Sequence, residues 1–261
     1  MSTTISRDAC AELPPARSDY QAKGSWDTVA GLKTYISGPA DARRGVVLIY
    51  DVFGPAPQTL QGADRLAAAL GDAVVLVPDF FEGVYAQPAW MPADTEAKKA
   101  AFAQFRAERA DIPRAVDRLL QVRREAGERW SGVDDEGGWG VVGLCWGGKV
   151  GVLVSGQENE GKGRRFAVSG TAHPSRLEAQ DAEALNVPYI CLASPGEPAD
   201  LVAQYKEILS KPGKTGVVET YSSMFHGWMG ARTKLDDDQN RAEYERGYGQ
   251  IAEFFAKYLS S

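Results

Sequence analysis

Gly143-Leu144-Cys145-Trp146-Gly147 places a thiol between closely spaced glycines, a pattern suited to nucleophilic attack. The segment follows the apolar run Trp139 to Val142 and leads into Gly148-Lys149-Val150. It reads as a G-x-S-x-G nucleophile elbow with cysteine in the serine position. In that turn a strand reverses sharply into a helix, and small neighbours let the two chain arms approach. The central side chain stands at a helix N-terminus, where unpaired N–H groups favour a thiolate or a nearby oxyanion. Two other readings share these residues. Gly143 to Lys149 also matches G-x-x-x-x-G-K, a phosphate-binding loop, but Val150 stands where that motif needs a hydroxyl for magnesium. The other is a buried structural cysteine in a glycine-rich turn.

A thiol nucleophile needs a base, and the base needs an orienting carboxylate. The chain has only two histidines. His226, in Phe225-His226-Gly227-Trp228, follows the last expected strand and precedes the C-terminal helix, which matches the nucleophile–acid–base chain order. His173, in Ala172-His173-Pro174-Ser175, breaks that order and reads as a loop or pocket-wall residue. The acid is expected after the strand Val187 to Ala193, where Glu197 and Asp200 both qualify. Glu197 is nearer the strand end, and Asp200 could instead cap a helix starting at Leu201.

These residues need a scaffold, and the rest of the chain supplies its pattern. Val46 to Tyr50, Ala73 to Val77, Trp139 to Val142, Phe166 to Val168, Val187 to Ala193 and Val217 to Tyr221 read as short buried strands. Between them, Leu60 to Leu70, Glu96 to Glu108, a segment opened by Asp111 with Pro113, and Leu201 to Leu209 read as helices. The tail from Asp238 onward is a long amphipathic helix. Alternation of this kind predicts an α/β fold, a mostly parallel central sheet with helices on both faces. Such sheets hold ligands beyond the carboxyl ends of their strands. Asp51, Cys145 and Glu197 all fall there. The aromatic segment Asp79 to Asp94, with Phe80, Phe81, Tyr85 and Trp90, reads either as a pocket wall or as packing against the body. Residues 1–25, broken by Pro14-Pro15, read as an extended arm, and residues 26–261 as one domain.

Composition narrows the function classes. The net charge is −6 with no block of Lys or Arg, which argues against nucleic acid and anionic membranes as partners. The pairs Arg43-Arg44, Arg123-Arg124 and Arg164-Arg165 read as solvated surface. No apolar stretch has membrane-spanning length, and the polar N-terminus lacks a signal core, so a soluble cytoplasmic protein is expected. The three cysteines are too few and scattered for a disulfide framework or a zinc site. Cys191 reads as core, and Cys10 lies in the arm with no role assigned. The chemistry calls for no metal and no cofactor.

The chain resembles the dienelactone hydrolase family, a branch of the α/β-hydrolases with a cysteine nucleophile. The likeness rests on Gly143-Leu144-Cys145-Trp146-Gly147-Gly148, Asp51-Val52-Phe53-Gly54 and Phe225-His226-Gly227-Trp228, and runs from about Ser25 to the C-terminus. It implies an α/β-hydrolase fold and hydrolysis of a lactone or carboxylic ester through a thioester on Cys145. His226 would be the base, and the oxyanion would be held by the backbone N–H groups of Trp146 and Val52. The family's acid is aspartate, so Glu197 is a departure and Asp200 stays open. The family has glutamate at the position of Asp51, where it holds the resting thiol and takes its proton; Asp51 is one methylene shorter. Family substrates carry a carboxylate, for which Arg232 is the candidate cation. Phe53, Tyr85 and Trp228 are candidate substrate contacts. The competing expectation is a non-catalytic relative, or a thiol redox sensor using Cys145. The expected partner is a small molecule; oligomeric state is unread.

Overall fold

The computed structural model describes residues 9–136, 138–156 and 165–259. Among these, eight strands form one sheet in the order β1-β2-β4-β3-β5-β6-β7-β8. They are β1 (Ser25–Val29), β2 (Leu32–Ser37), β3 (Arg44–Ile49), β4 (Ala73–Pro78), β5 (Trp139–Leu144), β6 (Val168–Ala172), β7 (Tyr189–Ala193) and β8 (Gly216–Thr220). From β4 to β8 every neighbouring pair is parallel, and β2 runs antiparallel to both β1 and β4. Among the described residues, eight α-helices connect or flank them: α1 (Pro57–Leu70), α2 (Glu96–Glu108), α3 (Ile112–Arg129), α4 (Ser131–Glu136), α5 (Trp146–Val154), α6 (Ala179–Ala184), α7 (Ala199–Leu209) and α8 (Asp238–Tyr258).

Both faces of the sheet are covered, and β5 shows how. Side chains alternate across a strand. At Gly140 an added Cβ would lie 2.6 Å from the ring of Phe255 on α8, while the neighbouring Val141 faces Gly151 of α5. Helices α8 and α5 therefore lie on opposite faces. Helix α1 packs with α8, and α3 packs with α5. This double cover explains why β4, β5, β6 and β7 are buried along their whole length, and why β4, β5 and β7 read as nearly continuous apolar runs.

Several boundaries differ from the sequence reading. The β1–β2 hairpin escaped it because β1 is mostly exposed and carries few apolar residues. Its turn is Ala30-Gly31, both at positive φ (50° and 74°), the two-residue geometry that suits hairpin twist. Strand β6 lies two residues later than Phe166 to Val168 suggested. Its Ser169, Gly170 and Thr171 are buried without being apolar, so hydrophobicity did not mark them. Arg123 is not solvated surface: it is 3% exposed and pairs with Asp134 and the carbonyl of Arg165.

The described part of the arm is pinned rather than loose. Residues 12–24 form no helix or strand, yet Ala11 and Ala16 pair with the backbone of Ala93 and Ala231. Gln58 donates to the carbonyl of Ala16, and Tyr20 donates to Asp64. The readings of residues 1–8, of Arg164 and of the C-terminal Ser260-Ser261 lie outside the described residues. Among those described, no helix is long and apolar enough to cross a membrane.

Candidate active site

Strand β5 ends at Leu144, and Cys145 turns the chain into α5 with φ 52° and ψ −111°. For a residue with a Cβ this conformation costs on the order of 1–3 kcal/mol and survives only where the surroundings impose it. They do so here through glycine. A Cβ on Gly143 would stand 2.1 Å from the backbone of Gly147, and one on Gly147 would stand 2.4 Å from the carbonyl oxygen of Ile49 at the end of β3. The elbow can close only because both positions lack side chains. Trp146, the first residue of α5, is locked by an indole N–H bond to the carbonyl of Ala110 and by rings of Tyr50, Phe80 and Phe81. Phe80 and Phe81 of the Asp79 to Asp94 segment are thus packed against the body. The hydroxyl of Tyr85 donates to Asp79, as does that of Tyr50.

His226 lies in the loop after β8. Its Nε2 is 3.2 Å from Cys145 Sγ and its Nδ1 is 2.6 Å from Glu197 Oε1. Glu197 follows β7 by four residues and is fixed in turn by Ser194, whose backbone N–H and hydroxyl both donate to it. Asp200 sits exposed in the first turn of α7 and does not reach the imidazole; nor does it cap that helix, whose N-cap is Pro198. A sulfur, an imidazole and a carboxylate, all buried, thus stand in line beyond the carboxyl ends of β5, β8 and β7.

The remaining candidates divide. Asp51 is buried, but its oxygens accept from the backbone N–H groups of Phe53 and Ala231, and it has no hydrogen bond to Cys145. Burial pushes its carboxyl pKa up, and those two amides oppose the shift. Val52 is held in the same tight loop. Phe53 and Tyr85 line a cavity of about 630 Å³ beside Ala16 and Arg17 of the arm. Trp228 is core: it is fully buried and stacks on Tyr221 with ring centroids 4.3 Å apart. Its place beside His226 in sequence suggested a pocket, but its side chain belongs to the main core. Lys149 gives its ammonium to Asp181 (2.7 Å) and Glu178 (3.3 Å), which occupies the charge a phosphate loop would need.

Arg232 is buried and already bonded. Its guanidinium donates to the carbonyls of Ala9, Cys10 and Leu13 in the arm. That grip produces the feature that sequence reasoning missed. Cys10 is 3% exposed, and its Sγ lies 3.1 Å from Cys145 Sγ and 3.5 Å from His226 Nε2. A second cavity, about 1010 Å³, is lined by Cys10, His226, Glu197 and Arg176 but not by Cys145. The arm stands between that cavity and the elbow. Cys10, Cys145 and His226 also place three possible metal donors within 4.8 Å of one another. Cys10, to which the sequence assigned no role, thus lies against the elbow; a separation of 135 residues along the chain says nothing of this contact.

Charge in this cluster is shared. The hydrogen bond from Cys145 and the neighbouring imidazole hold the Cys10 thiol well below its ordinary pKa, against the effect of burial. Burial, then the adjacent Cys10 sulfur, push Cys145 well above its own. Two sulfurs in contact cannot both ionise without strong repulsion, so the pair holds at most one negative charge. Burial disfavours a charged His226, but the sulfur and Glu197 outweigh it and raise its pKa to about 10. His173 is buried with its ring centroid 5.3 Å from that of His226, and burial keeps it neutral. Neither of its ring nitrogens has a hydrogen-bond partner among the described residues.

Sheet order, elbow and loop positions define an α/β-hydrolase. Comparison with solved structures agrees: a putative dienelactone hydrolase from Klebsiella pneumoniae superposes with a TM-score of 0.60 at 15% identity, covering 87% of this chain and 93% of that one. The sequence model of the dienelactone hydrolase family matches residues 32–259, and the chain belongs to that family. It is similar to an uncharacterized AIM2 family protein of Schizosaccharomyces pombe, 32% identical over 92% of this chain and 94% of the relative. It is also similar to the carboxymethylenebutenolidase of Rhodococcus opacus, 24% identical over 87% of this chain and 86% of that protein. Family and fold together indicate an esterase-like hydrolase with a small-molecule substrate.

Proposed function

We propose that the protein cleaves a lactone or carboxylic ester with Cys145 as nucleophile, His226 as base and Glu197 as the carboxylate that orients it. The observation that carries this reading is the imidazole bridging Cys145 Sγ and Glu197 Oε1. The arm must first swing aside, because Cys10 stands against the nucleophile. As Cys10 leaves, the imidazolium returns its proton to the Cys10 thiolate; the neutral His226 then takes the Cys145 proton, and the Cys145 thiolate attacks the ester carbonyl carbon. The oxyanion is met by the N–H of Trp146 at the start of α5 and by that of Val52, whose loop Asp51 steadies through Phe53. One such donor is worth roughly a hundredfold or more in rate. As the thioester forms, the imidazolium gives its proton to the departing alkoxide or enolate. His226 then draws a proton from water, which attacks the thioester carbonyl and releases the acid and the thiol.

In this reading Asp51 serves the Val52 loop rather than the Cys145 proton. Arg232, once released from the carbonyls of the arm, is the cation for a substrate carboxylate, with Phe53 and Tyr85 on the neighbouring wall. The name of the Rhodococcus relative, a butenolide-cleaving enzyme, supports an unsaturated lactone among the substrates. A non-catalytic thiol sensor would account for the paired sulfurs but leaves the His226–Glu197 pair without a task.

The test is hydrolysis of dienelactone and of short p-nitrophenyl esters by protein kept reduced. Cys145→Ala and His226→Ala should each lower kcat/KM by about 10³-fold or more. Rates equal to wild type in either variant would remove that residue from the mechanism.

A further inference from the structure

Cys10 occupies the approach to the elbow, and nothing in the hydrolytic cycle uses it. Its sulfur is placed by backbone held from several sides. The three carbonyl bonds from Arg232 surround its short helical turn, and the Ala11–Ala93 and Ala16–Ala231 backbone pairs fix the chain beyond it. The result is a sulfur–sulfur contact of 3.1 Å. A disulfide needs about 2.05 Å, so the two need close by only about 1 Å. Two thiolates on one tetrahedral zinc ion, each about 2.3 Å from it, would stand about 3.8 Å apart. The contact is tighter than a zinc site requires and favours a sulfur–sulfur bond. The large cavity reaches Cys10 but not Cys145, so a small oxidant meets Cys10 first.

We propose that Cys10 and Cys145 form a reversible disulfide, made by a hydroperoxide and broken by a thiol reductant, that straps the arm across the site and takes Cys145 out of chemistry. The effect on hydrolysis rests on the function proposed above; the bond itself does not. Cys10 thiolate, which the hydrogen bond from Cys145 and the imidazole favour, attacks the peroxide oxygen. The O–O bond breaks, leaving Cys10 as a sulfenic acid and releasing an alcohol, or water from hydrogen peroxide, after protonation. The Cys145 sulfur then attacks the Cys10 sulfur, the S–O bond breaks, and hydroxide leaves as water with the Cys145 proton. Two thiols lose two electrons and the peroxide gains them. An external dithiol reverses the bond by exchange.

The experiment treats the reduced full chain with hydrogen peroxide. Titratable thiols under denaturing conditions should fall from the three cysteines of the sequence to one, Cys191. A non-reducing tryptic map should join Asp8–Arg17 to Trp130–Lys149. Iodoacetamide labelling of Cys145 should fall by roughly tenfold or more and return with dithiothreitol. In Cys10→Ser the linked peptide should vanish, and peroxide should carry Cys145 to sulfinic acid that dithiothreitol cannot restore. Cys10→Ala serves the same purpose if the serine is poorly tolerated. The proposal is overturned if no Cys10–Cys145 peptide appears and Cys145 oxidises alike in wild type and Cys10→Ser. It is also overturned if the native protein carries one zinc ion that shields both thiols. A linked peptide in a protein that hydrolyses no ester would leave the disulfide standing and remove the hydrolase reading.

Discussion

Two segments bring a sulfur to the same point by opposite means. At the elbow, Cys145 is delivered by the sheet: a strained φ, two glycines and the ends of β3 and β5 fix it. In the arm, Cys10 is delivered by irregular chain held from a distance, by a guanidinium more than 200 positions away. The elbow takes its precision from local geometry. The arm takes its precision from hydrogen bonds that one substitution can remove. Their difference teaches which part can move: a sulfur set by local strain stays when a remote contact is lost, and a strapped one does not.

The largest effect is expected in the partners that make the elbow sulfur reactive. Glu197→Gln removes the carboxylate that orients His226 and should lower kcat/KM for p-nitrophenyl esters by about 10²–10⁴-fold. Asp200→Asn should leave it near wild type, because that side chain is exposed and away from the imidazole. The reverse pattern would exchange their roles. Next, Gly143→Ala forces a Cβ into the Gly147 backbone and should lower the free energy of unfolding in urea by about 3 kcal/mol. Unchanged stability would mean that the elbow is not tightly closed.

On the arm, Arg232→Gln leaves three carbonyls without their donor. The arm should loosen, with trypsin cleavage after Arg17 several-fold faster, while global stability changes by about 1–3 kcal/mol at most. Cleavage at the wild-type rate would show that the arm is held by other contacts. The smallest effect concerns pH. His226 binds its proton more tightly folded, with a pKa near 10, than an unfolded histidine near 6.5. Its contribution is therefore fully present below about pH 6.5 and fades as pH rises towards 10. Tm measured across that window should fall more steeply in wild type than in His226→Gln. Equal slopes would contradict the charged imidazole.

Much of this site was legible in the sequence because its signals are local or ordered. The elbow lies in five consecutive residues. Chain order led to His226, and distance from a strand end favoured Glu197 over Asp200. The parallel sheet was readable because double cover makes its strands apolar. What failed had other causes. β1 is an exposed edge strand with little hydrophobic pattern, and β6 is buried through small polar residues. Trp228 could not be told from a pocket residue by its neighbours in sequence. Arg232 was noticed as a cation, but its bonds to the arm depend on contacts across the whole chain. Cys10 carried no signal at all, since its meaning arises only when the arm folds back 135 residues onto Cys145. The Ala30-Gly31 turn between Val29 and Leu32 was the one clue that could have revealed the first hairpin.

The most direct test of the central claim is to catch the acyl group on its sulfur. Reduced protein mixed with a slowly hydrolysed p-nitrophenyl ester, quenched in acid within the first turnover and digested with trypsin, should carry the acyl mass on the peptide Trp130–Lys149 at Cys145. The adduct should be absent in Cys145→Ala. A protein that turns over the ester with no adduct there, or with the acyl group on another residue, would contradict the assignment of Cys145 as the nucleophile.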